Sequence, residues 1–285
     1  MEMVKLQYTF KTDLLFKMLF VKHVDLLKKL VAALLGIPVA SIQQFVIQNP
    51  EILPENLEDK FCRLDINMVV NGVLIDLEIQ ICNEGDYPER VMFYWAKEFS
   101  SALPSGAGYS MLPRTIIVSI IDFKLFDCME YHSFFQPLEV TRHTLLSDKM
   151  GFHFFELKKL PTNITENDSL LLWLSLFKAE TEEELEKIRA LEVPEMEQAI
   201  NAYYTITASS EFRERERLRE KARNDEAQAL YHAEQKGIQH GIQQGAAERN
   251  LEIAKTALQM KMSTHDIVKL TGLTIEEVEN LRKEI

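Results

Sequence analysis

The chain has 285 residues, 46% of them apolar, and a formal net charge of −12, enough length for one main domain with an appendage and enough oil for a sizeable core. The three cysteines, Cys62, Cys82 and Cys128, are an odd set without C-x-x-C spacing, and the seven histidines show no H-E-x-x-H grouping; neither a disulfide framework nor a zinc centre is expected, and a reducing cytosol is the natural setting. The oiliest runs, residues 30–40 and 170–177, fall well short of the ~20 residues that cross a bilayer, so no membrane partner is expected and the chain reads as cytoplasmic.

Apolar positions at helical spacing predict a first helix over residues 10–35, ended by Gly36 and Pro38, and a short strand is expected over 42–48. Between Cys62 and Cys82 two alternating runs flank Asn71-Gly72, a pair that favours the two-residue hairpin turn because both positions need positive φ. That turn sets the register. Val70 faces Val73, Asn67 faces Asp76, Asp65 faces Glu78 and Arg63 faces Gln80. Period two then places Leu64, Ile66, Met68, Ile75, Leu77 and Ile79 on a buried face and leaves a polar face opposite. Residues 88–103 read as a helix with Arg90, Tyr94 and Lys97 on one side. Either that side faces the hairpin's polar face, or Tyr94 and Trp95 pack the helix on the sheet while Arg90 and Lys97 are solvated. Strands at 114–121, 138–143 and 152–157 complete a mixed sheet with helices against it.

From residue 161 the pattern is helical throughout: 168–178, an acidic 181–191, then 195–209. Residues 211–223 alternate Glu and Arg densely and read as a solvated helical spacer held by ion pairs along one face. Gly237, Gly241 and Gly245 recur every four residues, at about 1 kcal/mol each in a helix interior; close helix-to-helix approach in a homodimer would offset that cost, and a frayed linker is the other reading. The tail continues with 251–261, then 264–269 behind a Ser263 cap, then 275–283 behind a Thr274–Glu277 capping box. The last pair resembles a helix-turn-helix, but its second helix shows Glu276, Glu277 and Glu279 where a DNA reader needs Arg or Asn.

The hairpin carries the chemistry. Carboxylates at Asp65 and Glu78, directly opposite one another with Asp76 nearby, repel by a few tenths to ~1 kcal/mol. A hard divalent cation would convert that repulsion into ligation, since such ions prefer carboxylate oxygens together with water and phosphate. The bland reading of the same residues is the solvated side of an antiparallel sheet.

Asp65, twelve residues, then Glu78-Ile79-Gln80 resembles the PD-(D/E)XK nuclease motif in the Gln-ended form of the Rpn family of recombination-promoting nucleases, the PD-(D/E)XK nuclease family transposases. The flanks agree in order: Thr12-Asp13-Leu14-Leu15-Phe16-Lys17, then Lys60 with Arg63-Leu64-Asp65-Ile66, then Arg90 with Tyr94-Trp95-Ala96, and finally the glycine run and helix pair over 237–281. The resemblance implies an α/β fold: a restriction-endonuclease-like mixed sheet core flanked by helices, followed by an all-α C-terminal region. The corresponding divisions are a nuclease-like domain over 1–160, an acidic helical extension over 161–210, a charged spacer with the glycine repeat over 211–250, and a helix-turn-helix-like tail over 251–285.

The activity implied is Mg²⁺-dependent hydrolysis of DNA phosphodiesters, in recombination or transposition, with Asp65, Glu78 and the Ile79 carbonyl holding the metal and Gln80 completing the catalytic set. Gln80 departs from the usual motif lysine, because an amide can hydrogen-bond but cannot offset charge. Either metal and water suffice, or Lys17, Lys60 or Arg63 reaches the site from outside the motif, Arg63 being best placed by register; Arg90 and Tyr94 are further supporting candidates. The acidic balance opposes DNA binding. Its distribution softens the objection, since residues 1–165 hold 16 basic against 20 acidic side chains, residues 166–210 hold 3 against 10, and residues 211–285 hold 13 against 14. Two other readings stand beside the nuclease: an interaction protein on an inactive nuclease scaffold, and a structural α/β domain without a site.

Overall fold

The computed structural model describes residues 4–49 and 66–284. They fall into two compact units, divided between Glu214 and Arg215.

The first unit is built on a six-stranded sheet in the order β1-β2-β3-β4-β6-β5, with β1 Phe45–Ile47, β2 Ile66–Val70, β3 Val73–Gln80, β4 Thr115–Ile121, β5 His132–Phe135 and β6 Met150–Glu156. Strands β1, β2 and β3 are antiparallel neighbours, β3, β4 and β6 run parallel, and β5 pairs antiparallel on the far edge. The hairpin turn is as expected: Asn71 and Gly72 have φ of 50° and 79°. Asn71 does more than tolerate the turn. Its Oδ1 accepts from the Gln43 and Gln44 amides at 2.9 and 3.0 Å and its Nδ2 donates to the Ser41 carbonyl at 2.8 Å, which ties the turn to the segment entering β1. The predicted register holds across the described pairs, from Val70↔Val73 through Asn67↔Asp76 to Ile66↔Leu77. The pairs Asp65 with Glu78 and Arg63 with Gln80 lie outside the described residues.

Both faces of the sheet are covered. On one, Ile66, Met68, Ile75, Leu77, Ile116, Val118, Ile120 and Phe155 join the large core with helices α1 Asp13–Lys22, α2 Val24–Leu35, α4 Ser169–Lys178, α5 Glu182–Arg189 and α6 Pro194–Ala208. On the other, Ile117, Ile121, Phe152 and Phe154 pack with Tyr87 and Val91 of α3, Tyr87–Ser101, which is the crossover between the parallel strands β3 and β4. The hairpin's polar face is therefore not a solvated one: Asp76 and Glu78 are buried beneath α3, and Val69 and Leu74 share the face near the turn.

Three elements differ from expectation. The first helix breaks at His23, whose φ of −119° and ψ of 68° separate α1 from α2. Helix α1 is apolar around nearly its whole circumference and buried accordingly, whereas α2 is amphipathic, so the two segments need different axes. The strand expected over 138–143 is instead a loop, with Pro137 lacking a donor for a ladder, His143 at φ 55° and Val140 exposed. The edge strand is β5, which pairs Phe134 with His153 and Phe135 with Phe152. The caps follow the sequence: Asp168 accepts from the Leu171 amide at 3.0 Å, Thr181 and Glu184 form a capping box, and Gly36 closes α2 in the left-handed region.

The second unit is helical. Helix α7, Ser210–Gln259, runs without interruption through Gly237, Gly241 and Gly245, and among the described residues a Cβ at any of the three would meet nothing within 4 Å. The end of α7 packs with α8 Thr264–Thr271 and α9 Ile275–Glu284 around Ala254, Ala257, Ile267 and Val278. Ser263 caps α8, Gly272 turns at φ 73°, and Glu277 closes the box on Thr274 at 2.7 Å. Early in α7, Glu216 takes Arg223 at 2.7 Å and Arg219 at 4.0 Å.

Candidate active site

Strand β3 sets Asp76, Glu78 and Gln80 on the α3 face by simple alternation, beside Ile117, Ser119 and Ile121 of β4. Asp76 is 7% and Glu78 3% exposed. Burying a carboxylate is expensive without donors, and the donor comes from α3. Tyr87 Oη donates to Glu78 Oε2 at 2.9 Å in a fully buried bond. Burial, and then the negative charge of Glu78, push the Tyr87 phenol well above its ordinary range, so it stays protonated and a donor.

Arg90 lies one helical turn along α3, its guanidinium 4.8 Å from the Tyr87 ring centroid and its Nη1 bonded to Glu84 Oε2 at 2.8 Å. A chain of contacts thus runs from Glu84 through Arg90 and Tyr87 to Glu78. Nearer the turn, Asp76 and Asn67 line a small cleft with Gln48, Thr115 and Glu98. At the far end of β3, Gln80 Nε2 donates to the Cys82 carbonyl at 2.9 Å, and the Gln80 carbonyl accepts from the Asp122 amide at 2.9 Å. Because backbone groups alternate along a strand, the carbonyl of Ile79 is directed away from β4, to the side of β2.

Asp122 anchors an ion cluster where β4 ends: Lys11 Nζ meets Asp122 at 2.6 Å and Glu180 at 2.8 Å, and Lys158 reaches Asp122 at 3.2 Å. Burial pulls the Lys11 ammonium down, but the hydrogen bonds to both carboxylates outweigh it and hold its pKa above the ordinary value. The cluster ties the N-terminal segment to the motif strand.

Of the residues expected from sequence, Glu78, Gln80 and Ile79 lie together on the motif strand, and Arg90 reaches Glu78 through Tyr87. Asp65, Lys60 and Arg63 lie outside the described residues. Lys17 is buried on α1, whose apolar side chains belong to the core on the opposite face of the sheet. Tyr94 is half-buried on α3, edge-on to Phe93, and Lys97 is exposed. Helix α3 is instead seated by Tyr87, Val91 and Trp95, with Trp95 Nε1 bonded to the Thr115 carbonyl at 3.0 Å. Sequence reading missed Tyr87. Its signal was the i, i+4, i+8 spacing of those three residues, which starts one residue before the expected helix.

Among the described residues no group of three or more His, Cys, Asp or Glu side chains could hold a metal ion. The donors on the motif strand, two buried carboxylates and a backbone carbonyl, are all hard oxygens and suit Mg²⁺ rather than a thiophilic metal.

A mixed α/β sheet with buried acids on its central hairpin, followed by helices, is the framework of a nuclease fold of the PD-(D/E)XK class. Residues 10–233 match the family described as PD-(D/E)XK nuclease family transposase, and the chain belongs to that family. Comparison with curated proteins and with solved structures found no match.

Proposed function

We propose that the protein is a Mg²⁺-dependent DNA endonuclease acting in recombination or transposition. The observation that carries this is the hairpin register, which runs in step as far as Ile66↔Leu77 and leaves Glu78 buried on the α3 face. Counted along the sequence from the Asn71-Gly72 turn, Asp65 is the residue that would pair with Glu78. Asp65, Glu78 and the Ile79 carbonyl would then hold the cation. Bound there, a divalent cation supplies positive charge that offsets the phosphate's and acidifies water for attack on phosphorus.

The chain's own residues do the rest. Tyr87 fixes one oxygen of Glu78, Arg90 adds positive charge behind it, and α3 keeps bulk water off this face. Gln80 replaces the motif lysine, and its amide nitrogen is engaged by the Cys82 carbonyl, which orients the amide without contributing charge. That engagement also favours the second reading, a weak or inactive nuclease fold serving as a DNA- or protein-interaction module. DNA is the proposed substrate and the cytoplasm the proposed location. A second copy joined through the C-terminal helical region is the proposed partner, since the glycine face of α7 is open.

A plasmid-nicking assay with and without Mg²⁺ tests the reading. Wild type should nick only with the metal, and Asp65→Ala and Glu78→Ala should each lose activity by about 10³-fold, the several kcal/mol a metal ligand contributes. Equal nicking by both variants would assign the activity to a contaminant, and metal uptake without nicking would favour the interaction module.

A further inference from the structure

The geometry points to Tyr87 as the positioning residue for Glu78, held in place by Arg90 and Glu84; the role rests on the nuclease reading above. Three contacts lock the Tyr87 ring. Phe123 meets it edge-on at 5.8 Å, Phe154 edge-on at 6.2 Å, and the Arg90 guanidinium stands 4.8 Å from its centroid. A phenol held on three sides cannot swing away, so its Oη fixes Glu78 Oε2 at 2.9 Å and makes the two carboxylate oxygens inequivalent. That bond fixes the orientation in which the Glu78 carboxylate is presented. This is how groups behind a metal ligand orient it.

Arg90 is held just as firmly. Its side chain is 13% exposed, Nη1 is committed to Glu84, and Nε has no hydrogen-bond partner among the described residues. A purely structural account explains this poorly. The buried Glu78–Tyr87–Arg90 part of this chain costs desolvation at its polar groups, with Glu84 reaching it from the exposed side, and an apolar substitute of similar volume is often as stable or more so. Local rules broken at such a cost are the mark of a functional site. The chain reaches Glu78 from α3, the element the sheet itself requires as the β3–β4 crossover, so the positioning group is coupled to the fold rather than to a loop.

The test uses the full chain, with Mn²⁺ as the calorimetric probe in the absence of DNA and plasmid nicking as the kinetic readout. Tyr87→Phe removes one oxygen and keeps the ring beneath Arg90. It should weaken Mn²⁺ binding about 10-fold and lower kcat roughly 10- to 100-fold, the usual range for groups supporting a metal ligand, while KM for plasmid stays unchanged. Arg90→Lys keeps the charge but loses the planar stack and the fork; it should shift both readouts in the same direction by less. A folded Tyr87→Phe protein with wild-type Mn²⁺ affinity and kcat, or with a change in KM only, overturns the inference and leaves the nuclease reading standing. Where Tyr87→Phe fails to fold, Arg90→Lys and Glu84→Gln decide, and wild-type Mn²⁺ affinity in both overturns it. A wild-type chain that neither takes up Mn²⁺ nor nicks DNA in a Glu78-dependent way removes the nuclease reading itself, and the positioning role with it.

Discussion

Leu77 and Glu78 are adjacent on β3 and almost equally hidden, at 0% and 3% exposure, yet the two faces of the sheet treat them differently. Leu77 enters a core of aliphatic and aromatic side chains drawn from α1, α2, α4, α5, α6 and the first turn of α7. Glu78 sits under one helix and accepts from a tyrosine, whose ring lies beside an arginine that is paired in turn with Glu84. Equal burial thus hides opposite energetics. Removing apolar contact costs stability on the first face, whereas on the second the buried carboxyl group is itself the costly element.

That contrast can be broken residue by residue. Glu78→Gln should lower metal-dependent nicking by about 10³-fold with little loss of stability, because a neutral amide is cheaper to bury than a carboxylate; loss of fold instead of activity would show Glu78 to be structural. Leu77→Ala should do the reverse, lowering the free energy of urea unfolding by about 2–5 kcal/mol, with kcat per folded molecule unchanged.

A third change probes a histidine pair on the apolar face. His153 Nδ1 and His132 Nε2 lie 3.0 Å apart, and the two rings stack among Phe134 and Phe155. Burial, then neighbouring His132 and Arg114, hold His153 down to about 4, and burial lowers His132 as well. On acidification the unfolded chain takes up these protons first, near 6.5, so stability should fall from about pH 6.5 toward 4, by roughly 3 kcal/mol for His153. His153→Phe should flatten that slope in urea titrations run across the range; an unchanged slope would place the acid sensitivity elsewhere. The smallest effect is in the second unit. Gly241→Ala should add about 0.5–1 kcal/mol of helix stability, because its Cβ would meet nothing within 4 Å among the described residues. If copies approach along this face, the same substitution should weaken self-association in sedimentation; unchanged association would remove the glycine face from the interface.

Much of the scaffold was legible because the deciding forces are local. Asn71-Gly72 dictates a turn of positive φ and with it the register; Thr181, Ser263 and Thr274 satisfy amides within three residues of themselves; Gly36 and Gly272 end helices where a Cβ would strain the backbone. The Glu-Arg run and the glycine repeat also announced themselves, although only the coordinates show that α7 stays helical through all three glycines. The edge strand was misplaced for the converse reason. Residues 138–143 have strand-like composition but stay largely exposed, with one isolated bridge from Leu138 to Leu145, and β5 forms where Phe134 and Phe135 meet β6.

By itself the sequence determined the hairpin, the acid on its motif strand and the succession of an α/β part by helices, since these depend on alternation, turn chemistry and capping over a few residues. Only the tertiary structure decided that the acidic face is roofed by α3, that Tyr87 grips Glu78, and that Lys17 is buried on α1. Those outcomes depend on which apolar surfaces meet across the sheet, a long-range matter that no local pattern encodes.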